Sequence, residues 1–215
     1  MYGIPYSVFD SLPLGIVGVM DFFNRLASSI SVDKEGFHDF LHSEEETCRY
    51  FLKSLADTYY ENSLQKNTIL VGDTGTVSRL GSFLPKTIGT IIHASILTDL
   101  CGQNNETPPR PPPKNLNGDV YHTGDSGQIE QIISGANAEM ILGSFLEAKT
   151  AENLKIPHLT VSAPNGNQVL LHKTYSGIAG AYFLLEDYAS AILRHNSEQR
   201  REKRMRLENL NHLHC

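Results

Sequence analysis

From Asn67 onward the chain alternates short apolar runs with segments of helical period, and that alternation leaves few folds open. The runs Thr68–Val71, Thr90–His93, Glu139–Leu142 and Pro157–Val161 are bounded by turn residues, as strands are. Between them, Thr76–Phe83, Gly127–Ile133 and Phe145–Leu154 read as helices. The loop Ala163–Gln168, with Pro, Gly and two Asn, follows the last run, and Thr174-Tyr-Ser-Gly-Ile-Ala-Gly180 then opens a long helix. Its apolar positions Ala181, Leu184, Leu185, Tyr188, Ala189 and Ile192 recur at three and four residues, and the small residues Gly177, Ala179, Gly180 and Ala181 permit close approach of backbone or ligand. Strands that alternate with helices imply a mainly parallel sheet covered on both faces. The expected architecture is doubly wound α/β, of a Rossmann or flavodoxin kind.

Upstream the texture is helical. Gly15–Ile30 is apolar at Ile16, Val19, Phe22, Phe23 and Leu26. Asp33–Leu64 continues with Phe37, Phe40, Leu41, Cys48, Phe51, Leu52, Leu55 and Tyr59, either as one long helix or as two broken near His42-Ser43, where Ser43 and Glu46 resemble a capping box. A helical hairpin beside the sheet is expected. The chain thus divides into a linker and helical subdomain at 1–66, an α/β domain at 67–195 and a charged tail at 196–215 that continues the last helix. Residues 102–118 hold five prolines and almost nothing apolar, which predicts a surface loop between a helix and a strand, or a polyproline ligand.

A net charge of -6 and a pI near 5.8 argue against a chain-wide nucleic-acid footprint, although basic residues concentrate at Arg194–Arg206 and could meet an acidic partner. No apolar run approaches a membrane span and no signal-peptide pattern opens the sequence, so a cytoplasmic location is expected. Cys48, Cys101 and Cys215 are scattered without a CxxC, the pattern of reduced structural thiols.

Several of these segments, in order, resemble the last domain of the large subunits of nitrogenase component 1 and their relatives, the cofactor-scaffold proteins and dark-operative protochlorophyllide reductase. Gly3-Ile-Pro5, Leu12-Pro-Leu-Gly15, Asp21-Phe-Phe and Leu26-Ala are similar to that family's link out of its middle domain. Thr68-Ile-Leu-Val-Gly-Asp73 resembles the strand and turn that open its last domain. Ala138-Glu-Met-Ile-Leu-Gly-Ser144, Leu154-Lys-Ile-Pro157 and the Thr174-Tyr-Ser-Gly-Ile-Ala-Gly180 turn resemble its later strands and final helix start. The resemblance runs over roughly residues 3–195.

This resemblance implies a subunit that contributes scaffold, a cavity wall and an interface to iron–sulfur-dependent reduction, with a homologous component 1 subunit and an ATP-dependent iron–sulfur reductase as partners. It implies an iron–sulfur or related metal cluster in the intact complex, held by cysteines of upstream domains, so no metal is expected on this chain. A fragment, inactive alone, is the expectation. In catalytic subunits of the family a His before the final glycine turn ligates the metal cluster. His172 is the nearest His, while counting back from Gly180 places that position nearer Asn167, so Asn167, His172, Gly177 and Gly180 are the candidate cofactor-binding residues.

Other readings stand beside this one. Val71-Gly-Asp-Thr-Gly-Thr-Val77 follows a strand and opens a helix, so its amides could cradle the phosphate of a nucleotide, with Gly72–Thr76 as the binding turn. That would make the chain a stand-alone nucleotide or sugar-nucleotide binder of glycosyltransferase-like fold; a cofactor-assembly scaffold without turnover is a further alternative. Asp73-Thr-Gly and Asp125-Ser-Gly match the aspartic-protease letters, although Asp125 reads better as a helix cap. His158 and His93 read as structural, and His212, His214 and Cys215 as an adventitious metal tail at most.

Overall fold

The computed structural model describes residue 9 and residues 11–99, 116–166 and 173–212. Two helices come first, α1 (Gly15–Ala27) and α2 (Lys34–Asn62), followed by β1 (Asn67–Gly72), α3 (Thr74–Ile88) and β2 (Ile91–Leu97). Then come β3 (Asp119–His122), α4 (Ser126–Gly135), β4 (Met140–Gly143), a short 3-10 turn at Phe145–Glu147, α5 (Ala148–Leu154), β5 (His158–Thr160) and α6 (Gly177–His212). The five strands form one sheet in the order β3-β2-β1-β4-β5, with every pair parallel. The fold is therefore the doubly wound α/β arrangement that the alternation predicts.

The sheet is buried on both faces because successive strand residues point opposite ways. From β1, Leu70 faces a core shared with Val77, Leu80 and Leu84 of α3 and with Leu184, Leu185 and Tyr188 of α6. Its neighbours Ile69 and Val71 face the other way, onto Ile129 and Ile133 of α4 and Ala151 of α5. α3 and α6 thus cover one face, and α4 and α5 the other.

The helical region resolves the alternative left by the sequence. α2 is one continuous helix of 29 residues, and Ser43 lies within it. Its start is fixed by Asp33, whose side chain accepts from the amides of Glu35 and Gly36. The ring of Phe23 on α1 stacks 4.4 Å from Phe37 on α2, and Phe51 lies 5.0 Å from Tyr182 on α6. Leu52, Leu55 and Tyr59 pack the far half of α2 onto the core.

Two readings need correction. His93 sits within β2 rather than at a strand end, because β2 runs on to Leu97. The strand β3 has no counterpart in the sequence reading, so the 102–118 segment lies between two strands, β2 and β3, and not between a helix and a strand. β3 is four residues at the sheet edge, held by pairing Ala94–Leu97 with Asp119–His122, and it carries little apolar pattern to announce it. Residues 102–115 themselves lie outside the described residues.

Tyr188 is fully buried and its hydroxyl donates to the Leu64 carbonyl at 3.0 Å, linking α6 to the turn between α2 and β1. Burial pushes its pKa up to about 12, so it stays a neutral donor. The packing around it outweighs this one bond. Tyr188→Phe should cost about 1–2 kcal/mol, and Leu184→Ala, also at a fully buried site, about 3–5 kcal/mol, each read as a lower urea midpoint at unchanged slope.

Candidate functional site

Strand order reverses between β1 and β4, and ligands of doubly wound sheets bind in the crevice outside the carboxyl ends of the strands at such a point. Three chain segments build this crevice: the β1–α3 turn, the β4–α5 turn and the segment after β5. Phe145 N–H donates to the Pro164 carbonyl at 2.9 Å and Ser162 Oγ to the Val71 carbonyl at 3.1 Å, so the three are tied together.

At the β1–α3 turn the amides are already engaged. Asp73 Oδ1 accepts from Thr76 N–H at 3.0 Å, and Asp99 Oδ1 accepts from both the amide and hydroxyl of Thr74, at 3.0 and 2.8 Å. Two carboxylates of the chain thus occupy the helix start that a phosphate would need, and their charge opposes a third anion there. Asp125 caps α4 through Gln128 N–H at 2.8 Å. Because β2 separates β1 from β3, Asp73 and Asp125 start two strand spacings apart, about 10 Å, beyond the reach of a shared proton. The protease pairing fails on that distance.

At the β4–α5 turn, Glu147 is buried and its Oε2 accepts from the Ser144 amide and hydroxyl at 2.6 and 2.8 Å, while the Ser144 side chain accepts from Leu146 N–H. His158 Nε2 lies 2.9 Å from the Ser144 carbonyl, which requires the tautomer carrying its proton on Nε2. This network fixes the turn and engages Glu147 Oε2 twice.

A small cavity of about 170 Å³ lies beside these turns, lined by Arg79 of α3, Thr160 at the end of β5, Ser162 just after it, Asn165, Lys173 and Tyr175. Asp187 of α6 holds its rim, pairing with Lys173 Nζ at 2.5 Å and accepting from the Tyr175 hydroxyl at 2.6 Å. Burial and the Asp187 carboxylate push the Tyr175 pKa well up. Arg79 also lines a larger cavity of about 920 Å³ between α1, α2, α3 and α6, which is mainly apolar. Arg79, Lys173 and Asp187 did not stand out in the sequence. Arg79 follows the Asp73 turn by one helical step and Lys173 precedes the glycine turn, a signal visible only once α3 and α6 share a face.

Of the predicted site residues, Asn167 and His172 lie outside the described residues. Gly177 opens α6 at φ +72, a conformation suited to glycine, and its N–H donates to the Pro13 carbonyl at 2.7 Å. A Cβ on Gly180 would come within 2.7 Å of the Thr174 carbonyl. The close approach at Gly180 is therefore backbone to backbone, between α6 and its own entry turn.

A metal cluster calls for thiolate or imidazole donors. Among the described residues no group of three or more His, Cys, Asp or Glu could hold a metal ion. Cys48 lies on α2 beside Tyr182, where burial pushes its thiol pKa up, away from the thiolate a ligand needs. The described crevice offers hydroxyls, an amide and two cations, a donor set that does not fit direct ligation of a cluster. Cys101, His214 and Cys215 lie outside the described residues, as does the side chain of His212.

His158 gives the site a pH signature. Burial pushes its imidazole pKa below the ordinary value, and the Ser144 carbonyl and Glu147 offset only part of this. The unfolded chain then takes up the proton first, so stability from neutral His158 is whole above about pH 6.5 and is lost as pH falls through the lower folded value. Between about pH 7.5 and pH 5.5 the urea midpoint should fall, and in His158→Gln it should fall less. Gly180→Ala should destabilise by about 1–3 kcal/mol by displacing the Thr174–Tyr175 turn, with amide exchange accelerating there first.

The comparisons with known proteins concern the whole fold. The family model for nitrogenase component 1 type oxidoreductases matches residues 1–193. Among solved structures, nitrogenase Cp1 at pH 6.5 is similar with a TM-score of 0.61 and 19% identity, over 85% of this chain and 39% of that one. Nitrogenase Cp1 at pH 5 gives a TM-score of 0.50 and 13% identity, over 83% and 40%. The chain thus spans about two fifths of the length of these structures. Among curated proteins no sequence matches. The structural likeness carries the fold, and the family model, which spans most of the sequence, carries the membership: this chain belongs to the nitrogenase component 1 type oxidoreductase family.

Proposed function

We propose that the chain serves as the C-terminal α/β domain of a component 1 type subunit, and that in the intact assembly it contributes scaffold, one wall of the substrate or cofactor cavity and part of the subunit interface. The reaction is iron–sulfur-dependent reduction, with electrons delivered by an ATP-dependent iron–sulfur reductase to an assembly that includes a homologous component 1 subunit, in the cytoplasm. The family match over residues 1–193 carries this reading. Among the described residues, no helix is long and apolar enough to cross a membrane.

Two structural features support the division of labour. The crevice at the switch point of the sheet is the wall such a domain presents to a bound molecule. The helical subdomain leaves Leu12, Val17, Ile30, Phe40, Tyr50 and Tyr60 exposed, apolar surface that suits an interface. The cavity wall in this reading contributes shape and hydrogen-bonding groups, with cluster ligands supplied from elsewhere in the assembly.

The test is the composition of the native assembly. Purified anaerobically from its own host through a tag on this chain, the complex should carry iron and acid-labile sulfide in comparable amounts, together with a second component 1 type subunit. A complex without iron and sulfide would overturn the redox reading.

A further inference from the structure

Arg79 is the one described cation in the crevice whose charge is left without a partner. Its Nε is fully buried and makes no hydrogen bond. Among the described residues the guanidinium has one long contact, Nη2 to Thr76 Oγ1 at 3.5 Å, and forms no ion pair. Burial, which is partial for the residue as a whole, pulls its pKa down, and Asp73 restores only part. Proteins rarely bury a charged donor without an acceptor, because its lost hydration must be replaced. Among the described residues, Asp73 also caps the Thr76 amide, Asp99 holds Thr74, and Asp187 holds Lys173 and Tyr175.

The 170 Å³ cavity that Arg79 lines is matched to a compact ligand. Lys173, Thr174 and Asn165 also line it, residues whose side chains carry groups that bond an oxyanion. We propose that this cavity binds the oxyanion group of a small molecule, a carboxylate or phosphate, with Arg79 as its principal partner and Lys173 at its rim. The site is separate from the β1–α3 amides, which the chain's own carboxylates fill. It needs no metal and does not rest on the redox reading.

Arginine Nε–H resonances report this directly. In the folded chain labelled with nitrogen-15, the Arg79 Nε–H signal, assigned through its bonds, is followed during separate titrations with inorganic phosphate and with succinate at constant ionic strength. The expected result is a saturable shift of Arg79 with at least one anion, while the exposed arginines of α6, Arg200, Arg201, Arg204 and Arg206, shift little. Saturation by phosphate alone identifies a phosphoryl ligand, and by succinate alone a carboxylate. Lys173→Gln should weaken the binding, and Arg79→Gln should weaken it roughly tenfold or more, followed through the Asn165 side-chain amide. An Arg79 signal that moves linearly with the α6 arginines overturns the proposal, as does unchanged affinity in a folded Arg79→Gln. Should Arg79→Gln fail to fold, the wild-type titration and Lys173→Gln decide.

Discussion

A parallel sheet has no face that tolerates water, so everything else in this chain follows from how its two faces are closed. On one of them α6 supplies the closing surface through Ala181, Leu184, Leu185, Tyr188 and Ile192, in a stripe that also meets α3. The same helix positions the crevice. Its first residue, Gly177, is bonded to Pro13, its first turn lies against Thr174 at Gly180, and Asp187, about three turns on, holds Lys173 and Tyr175. Core and site therefore share one element. Loosening the stripe would move the cavity wall before it unfolded the sheet.

The electrostatics of the crevice are set by a division between satisfied and unsatisfied groups. Helix starts in such folds are ready anion sites, yet here Asp73, Asp99 and Asp125 fill them from within the chain. Glu147 is likewise spent on Ser144. The positive character left over is concentrated one turn along α3, at Arg79. This shifts the recognising group from backbone amides, which bind any anion, to a guanidinium, whose planar fork favours oxyanions.

The fold was legible because strands of a buried parallel sheet are apolar on both faces and stand out against helical period, as Thr68–Val71 and Glu139–Leu142 do. The long α2 was less so, since Ser43 and Glu46 offer the letters of a cap in a helix whose neighbours simply continue it. The edge strand β3 was invisible, because Asp119–His122 is held by backbone pairing to β2 and carries no core stripe. The candidate site was legible only in part. The resemblance pointed to the loop before the final glycine turn, whereas Arg79 and Lys173 stand almost a hundred positions apart and meet only because α3 and α6 cover one face. A lone Arg on an amphipathic helix gives no sign that its charge will be unpaired.

The length of α6 has a mechanical consequence. Among the described residues, the last side-chain hydrogen bond from α6 back to the domain is that of Gln199, which donates to the Lys155 carbonyl at 3.2 Å. The helix continues beyond it through residues 200–212, an arm about 20 Å long at the rise of an α-helix. A tilt of about 5° at the sheet would swing its tip by about 2 Å. The arm thus converts a small rotation of the cavity-forming helix into a displacement of the basic residues it carries.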